Sequence, residues 1–246
     1  MGVGNKLPLL SFFNNWFDRR VYETGIDRVV LYIDGIGYPW SGVTAVSETS
    51  DGGEPSPIYA DNKEYVNLLL SEEKNLTIEA YSYPPEFEDC FGRRSLIPGL
   101  YVDGQSHKNF GICFRTLVCD NLGTQSYKFH IYWNCICKIQ DESNQTISDS
   151  VEALTYSWDI DTTPVFIDGN KPTSGLIIEC NKINIEKLAN IENILYGNGH
   201  DLPVLPDIQD LINLCAYDFG QLYDSSGKMI IDSYNKQIDC MGLLEN

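Results

Sequence analysis

The chain has 246 residues, a length that allows one large domain or two small ones and that can bury most of its apolar surface. Its formal net charge is −18, from 35 acidic and 17 basic residues, so binding to nucleic acid by attraction to the phosphate backbone is not expected. The aromatic content of 12%, which includes 15 Tyr, favours sheet over helix.

The N-terminal sequence predicts an arm over residues 1–25. MGVGNKLPLLSFFNNW lacks the long apolar core of a secretory signal, and no apolar run reaches the roughly 18 residues that a membrane-spanning helix needs. We therefore expect a chain without export or membrane insertion. The arm's aromatic residues would form either a short helical face or a surface buried on another chain: Phe12, Phe13, Trp16 and Phe17.

From residue 27 the pattern predicts strands. RVVLYID is strand-like, GIGYP is expected to be a turn, and SGVTAVSET is a second short strand. KEYVNLLLSEE fits either a helix or a strand. In NLTIEAYSYP the residues Leu76, Ile78, Ala80 and Ser82 alternate onto one face, until a double proline ends the strand.

A charged excursion, VSETSDGGEPSPIYADN, separates two of these strands at residues 46–62. It lies in a strongly acidic part of the chain, because residues 47–89 contain eleven acidic side chains and only two lysines. Its acidic residues lack the spacing of a calcium loop, so we expect an exposed arm with a Gly-Gly turn and stiffening prolines. The residues of this arm that are predicted to dock on another chain are Glu48, Asp51, Gly52, Gly53, Glu54, Pro55, Pro57 and Asp61.

Residues 110–139 give the clearest hairpin pattern, with FGICFRTLVC and YKFHIYWNCICKI joined by DNLGTQS. Strict alternation in the second run predicts one buried face, formed by Ile131, Trp133, Cys135, Cys137 and Ile139. The other face is expected to be half-wet. That face contains His130, Tyr132, Asn134 and Lys138.

The last third of the chain adds two strands and two helices. ALTYSWDIDTTPV and SGLIIEC predict the strands, and NIEKLANIENILYG predicts a helix that ends at Gly197. LPDIQDLINLCA predicts a second, shorter helix, and residues 216–246 form a C-terminal extension with a possible hairpin. The apolar stripe expected on the first helix is Ile185, Leu188, Ile191, Ile194 and Leu195. Together the elements predict a single mainly β (α+β) domain over residues 1–246.

No catalytic or metal-binding constellation is visible in the sequence. The 3 histidines lack ligand spacing, and Cys135 and Cys137 form C-x-C rather than C-x-x-C. The phosphate-binding loop, the dinucleotide fingerprint and the nucleophile elbow are all missing. We therefore expect no enzymatic activity, no cofactor and no metal. The 8 cysteines are expected to be reduced, with several acting as small core residues.

Several sequence segments, in a consistent order over roughly residues 25–215, are distinctive enough to be compared with known families. The strongest are PWSGVTAVSET, TIEAYSYPPEFEDC and SWDIDTTPV. In these segments the chain resembles the major tail protein, or tail tube protein, of long non-contractile-tailed bacteriophages. The sequence departs from that pattern in its cysteine content and in the extension beyond the late helix.

The resemblance implies a tail-tube-type β-sandwich or barrel with one flanking helix, a short late helix and extended terminal arms. Its subunits would close into hexameric rings that stack into the conduit for genome delivery, in a virion whose subunits are made in the host cytoplasm. In such a tube, the arm at residues 46–62 would contact a neighbouring ring or subunit, and the half-wet face with His130, Tyr132, Asn134 and Lys138 would line the lumen or a seam between subunits. The implied partners are further copies of the chain and the tape measure, tail terminator and distal tail proteins. Viral DNA would pass through the lumen without specific binding, and the negative charge of the chain suits such a conduit.

Two other functions are compatible with the composition. A soluble carbohydrate-binding β-sandwich module would use the aromatic side chains for sugar stacking, and an unrecognised hydrolase would need paired carboxylates across a cleft. Filaments or stacked rings in electron micrographs would indicate the tube protein, whereas glycan binding by a monomer would indicate the sugar-binding module.

Overall fold

Twelve β-strands and two α-helices form the part of the chain that the computed structural model describes, which comprises residues 21–52, 55–69, 72–120, 123, 125–139 and 153–215. The strands are β1 (Tyr22–Ile33), β2 (Ile36–Trp40), β3 (Val43–Gly52), β4 (Pro55–Ala60), β5 (Lys63–Leu69), β6 (Glu72–Ala80), β7 (Arg94–Ile97), β8 (Leu100–Val102), β9 (Phe110–Cys119), β10 (Gln125–Cys137), β11 (Tyr156–Thr162) and β12 (Gly175–Glu179). The helices are α1 (Ile185–Tyr196) and α2 (Ile208–Cys215), and short 3-10 turns span Pro85–Cys90 and Cys180–Lys182. The predicted mainly β class is confirmed.

Several predicted boundaries change. Strand β1 begins at Tyr22, so the last residues of the predicted arm belong to the sheet. GIGYP is not a turn, because Ile36–Trp40 is strand β2 and the turn lies at Asp34 and Gly35, both with positive φ. KEYVNLLLSEE is strand rather than helix over Lys63–Leu69. The rest of the predicted N-terminal arm and the C-terminal extension lie outside the described residues.

One antiparallel sheet contains eight of the strands, in the order β2-β1-β9-β10-β11-β6-β3, with β12 paired to β10. Strand β10 divides its outer edge between two partners, since residues 128–132 pair with β12 and residues 135–137 pair with β11. The sheet folds over at this point into two layers, as sheets do where a strand passes between layers at a bulge. The rings of Trp40 in β2 and Trp158 in β11 lie 5.5 Å apart across the space between the layers.

A β-bulge in β10 marks the change of partner. Tyr132 pairs with Ile112, and the next paired residue of β10, Cys135, pairs with Phe110, so β10 contains one residue more than β9. Asn134 in the bulge has a φ of 48°, a left-handed conformation that asparagine tolerates better than most residues.

The bulge overturns the predicted division of β10 into a buried face and a wet face. Before it, Ile131 and Trp133 pack under the helices, whereas Cys135 after it packs between the two layers, so these residues do not share one face. His130 and Tyr132 are buried, with 8% and 2% of their surfaces exposed, and the wet position predicted for them is wrong. The exposed residues of the predicted wet face are Asn134 and Lys138.

Two apolar clusters cover the two faces of the sheet. Alternate residues of β1 divide between them, because Leu31 faces the inner cluster between the layers and Tyr32 faces the outer cluster beneath the helices. The largest inner side chains include Trp40, Phe87, Phe110, Phe114 and Trp158, and the outer cluster includes Phe129, Ile131, Ile191, Leu195 and Leu211. The eight-stranded sheet therefore contributes side chains to both apolar clusters.

Helix α1 closes the outer cluster. The side chain of Asn184 accepts a hydrogen bond from the Glu186 amide at 2.8 Å, and the helix ends at Gly197, as predicted. Tyr32 of β1 donates its hydroxyl to the Leu195 carbonyl at 2.6 Å, which ties the last turn of the helix to the sheet. Ile185 was predicted in the buried stripe but is 80% exposed, because it lies in the first turn beyond the edge of the cluster.

Candidate assembly surfaces

The charged excursion leads from the end of strand β3 into a second β-hairpin, which continues the hairpin that β3 forms with β6. Strands β3 and β6 pair along their full length, ending at Gly52 and Glu72, and the chain then forms β4 and β5. We call β4, β5 and their turn, residues 55–69, the tip hairpin. Its turn consists of Asp61 and Asn62, both with positive φ, which is the geometry of a two-residue type I′ turn.

The predicted Gly-Gly turn is therefore wrong, because Gly52 is a paired residue of β3 and the chain reverses at Asp61. Aspartate and asparagine adopt positive φ at low cost, so the Asp-Asn dipeptide is a turn signal that the sequence contained. The predicted contact residues divide between β3, β4 and the turn: Glu48, Asp51 and Gly52, then Pro55 and Pro57, then Asp61. Gly53 and Glu54 lie outside the described residues.

Large apolar side chains are exposed on the tip hairpin. Ile58 and Val66 lie directly opposite each other on the two strands, and both are exposed. A register shift leaves Tyr65 as an extra residue in β5, where it is 78% exposed next to exposed Tyr59. Because a bulge re-aims the side chain at its centre, this hairpin presents aromatic and aliphatic surface to solvent.

A second small hairpin carries a similar surface. Strands β7 and β8 are joined by Pro98 and Gly99, and Gly99 has the positive φ that a type II turn requires. We call residues 94–102 the Pro-Gly hairpin. Its exposed apolar residues are Leu96, Ile97, Leu100 and Tyr101. Sequence analysis did not identify this surface, although the LIPGLYV segment places a turn signal between apolar residues.

The two hairpins lie at opposite ends of strand β6. The first residue of β6, Glu72, follows the tip hairpin, and the last residue, Ala80, pairs with Tyr156 of β11. The ring of Tyr83 lies 5.3 Å from that of Tyr156 and 5.5 Å from that of Phe91, which shortly precedes the Pro-Gly hairpin. The nine residues of β6 therefore separate the bases of the two hairpins.

Charge differs sharply between these two parts of the chain. Residues 47–73, which include the tip hairpin, contain seven acidic residues and one lysine. Residues 90–119, which include the Pro-Gly hairpin, contain one acidic residue, Asp103, and four basic ones. Arg93 donates from Nε to Asp103 at 2.7 Å at the base of the Pro-Gly hairpin, and Arg94 in β7 is exposed. Lys108 and Arg115 are also paired with acids, Asp34 and Asp27, so exposed Arg94 is the basic residue of the Pro-Gly hairpin itself.

Three of the predicted site residues meet inside the subunit. Oε1 of Glu48 lies 3.3 Å from Nδ1 of His130, and Nε2 of His130 lies 3.0 Å from the Thr116 hydroxyl. The ring of Phe114 stacks on His130 with centroids 4.8 Å apart. The neighbouring His130 ring lowers the pKa of the Glu48 carboxyl, and the Tyr132 hydroxyl lowers it further, against the opposing effect of burial. Glu48 therefore joins the two layers of its own subunit.

The cysteines that the structure describes behave as core residues. Cys90, Cys113, Cys119, Cys135, Cys137 and Cys180 are buried with free thiols, and Cys215 is half-buried. Burial raises the pKa of the Cys90 and Cys113 thiols to about 12. Since the thiolate is the reactive and metal-binding form, this environment suppresses both kinds of chemistry.

Within the described ranges, no three His, Cys, Asp or Glu side chains are grouped to hold a metal ion. The helices there are too short and too polar for any of them to cross a membrane.

No protein-family model matches the chain, and no curated protein matches it. Among solved structures, the chain is similar to a chain in a structure described as the cryo-EM structure of the anti-feeding prophage (AFP) baseplate, 6-fold symmetrised. The two share 12% sequence identity with a TM-score of 0.34, and the match covers 62% of this chain and 91% of that chain. A TM-score of this size does not establish a shared fold or a shared function.

Proposed function

We propose that the chain is the structural subunit of a bacteriophage tail tube and has no catalytic role. Copies would close into hexameric rings, and the rings would stack into the conduit for the viral genome. The ordered resemblance over residues 25–215 supports this function, and the described part of the chain adds a curved antiparallel sheet with two projecting hairpins.

The observation that carries the proposal is the exposed apolar surface of the tip hairpin. Ile58, Tyr59, Tyr65 and Val66 are all exposed on a two-stranded element that extends from the main sheet. Exposed large apolar side chains concentrated on one small element are typical of a protein–protein interface, and burying them would provide free energy for assembly. Tyr59 and Tyr65 alone would also suit sugar stacking, but the exposed aliphatic pair Ile58 and Val66 beside them favours a protein partner.

Lateral contacts within a ring would involve the edge strands. Strand β3 lies at one end of the strand order and β2 at the other, and pairing between neighbouring copies would cover such edges. The acidic excess of the chain would give the lumen a net negative charge, so that DNA passes without adhering. Four residues were predicted to line the lumen or a seam. Asn134 and Lys138 are exposed and could do so, whereas His130 and Tyr132 are buried.

The structure allows a clean test of the role of the tip hairpin. Because Gly52 and Glu72 are a register pair, residues 53–71 can be replaced by Asn-Gly to give an ordinary two-residue β-turn between β3 and β6. We expect this variant to keep the wild-type circular dichroism spectrum and cooperative unfolding but to form no tubes by electron microscopy.

The matched control replaces only Asp61-Asn62 by Asn-Gly, which preserves the tip hairpin and its apolar residues. This control should form tubes like the wild type. Normal tubes from the shortened variant would overturn the assigned role of the hairpin, and a wild-type chain that forms neither rings nor tubes would overturn the proposed function.

A further inference from the structure

We propose that the tip hairpin of one copy docks on the Pro-Gly hairpin of the next copy along the tube. This pairing rests on the proposed tube function and identifies the two surfaces that would join successive rings. Each apolar surface would thus be covered by the other hairpin of a second copy of this chain.

The two surfaces match in size and chemistry. Among the side chains that the structure describes, each hairpin exposes four large apolar ones, with Tyr65 at a bulge in one hairpin and Leu96 at a bulge in the other. In β7 the register shift between Ser95 and Ile97 leaves Leu96 as the extra residue. Two projecting side chains of this kind can interdigitate, and aromatic anchors seated among aliphatic side chains are the usual centre of a protein interface.

The placement of the hairpins favours contact between different copies in a repeating series. They lie at opposite ends of β6, so one copy presents the tip hairpin at one end and the Pro-Gly hairpin at the other. A contact between two different surfaces is heterologous, and without closure it generates an open-ended assembly. A self-complementary contact between two tip hairpins would instead stop at a dimer.

The charges of the two hairpins favour contact between a tip hairpin and a Pro-Gly hairpin over contact between two tip hairpins. The tip hairpin contains two acidic residues and one lysine, whereas the Pro-Gly hairpin contains one basic residue, Arg94, and no acidic residue. Glu64 on β5 and Arg94 on β7 are both exposed beside the apolar residues of their hairpins. Opposite charges around an apolar centre favour this pairing, and two acidic tip hairpins would repel each other.

The test places a photo-cross-linker at the centre of the tip hairpin. Tyr65→p-benzoylphenylalanine is prepared in the full chain labelled with ¹⁵N and is assembled with unlabelled wild-type chain. After irradiation of the tubes, mass spectrometry identifies the linked peptides and the isotope label shows whether they come from different copies. The expected product joins residue 65 of a labelled copy to residues 94–102 of an unlabelled copy. The matched control carries the same cross-linker at Ile185, which is 80% exposed on α1, and should not link to that segment.

A second variant gives an independent measurement. Leu96→Asp places a charge in the proposed acceptor surface and should raise the concentration needed for tube formation about tenfold or more, whereas Ile185→Asp should leave that concentration unchanged. Tubes in which residue 65 links to any other segment, or only within its own copy, would overturn the pairing and leave the tube function standing. Failure of the wild-type chain to assemble would overturn both.

Discussion

Nδ1 of His130 in β10 lies 3.3 Å from Oε1 of Glu48 in β3, although the two strands belong to different layers of the folded sheet. The contact places a carboxylate at the edge of the inner cluster, where 30% of the Glu48 side chain remains exposed. Tyr132 also hydrogen-bonds this carboxylate, so a polar cluster adds to the apolar packing between the two layers.

Replacing Glu48 by glutamine should reduce stability near neutral pH and weaken its acid dependence. The pKa of Glu48 is lowered below its ordinary value of 4.5 in the folded chain. A lowered pKa stabilises the fold above the unfolded value, and that contribution is lost as the pH falls through the folded value. We expect Glu48→Gln to cost about 1 kcal/mol at pH 7 and to lose less stability than the wild type between about pH 5 and pH 3.

Urea unfolding across this pH range measures both effects. Glu79→Gln on the exposed side of β6 is the control and should follow the wild-type pH profile. A Glu48→Gln profile with the same acid-induced fall as the wild type would show that the carboxylate does not join the layers.

Removal of the Tyr32 hydroxyl tests the attachment of helix α1 to the sheet. This buried hydroxyl donates to the Leu195 carbonyl in the last turn of the helix, where carbonyl groups lack partners within the helix. Tyr32→Phe should therefore lower the free energy of unfolding by about 1–2 kcal/mol. The same change at exposed Tyr22 should have no measurable effect in thermal or urea unfolding, and an equal loss at both positions would contradict the assigned role.

Thiol labelling tests the burial of the cysteines. Cys113 is fully enclosed and its pKa is raised to about 12, whereas Cys215 at the end of α2 is half-buried. Iodoacetamide at about pH 8, followed by peptide mapping, should label Cys215 well before the six buried cysteines, which should react only after unfolding. Rapid labelling of Cys113 in the native chain would show that the outer cluster opens to solvent.

Regular alternation in the sequence was sufficient to predict most of the large sheet. Leu76, Ile78 and Ala80 are buried on the predicted face of β6, whereas Ser82 lies beyond the end of the strand and is exposed. The β9–β10 hairpin, β11, β12 and both helices also occur where the pattern indicated. These segments bury one face or one stripe, which leaves a clear period in the sequence.

The errors fall where a local irregularity breaks the period. One extra residue at Asn134 changes the direction of every later side chain in β10, and alternation alone contains no signal for such a bulge. His130 and Glu48 are polar, so pattern analysis assigned both to solvent, yet they contact each other across the layers. The Pro-Gly hairpin was missed because its strands are short and expose apolar residues on a surface that a partner would cover.

The position of β6 between the two small hairpins also determines how the subunit would carry mechanical load. If neighbouring copies pull on the tip hairpin and the Pro-Gly hairpin, tension runs lengthwise along β6, which is hydrogen-bonded to β3 on one side and β11 on the other. The force would then load these backbone hydrogen bonds in shear and together, rather than opening them one at a time. A tube built in this way would resist stretching through a strand that is paired on both of its edges.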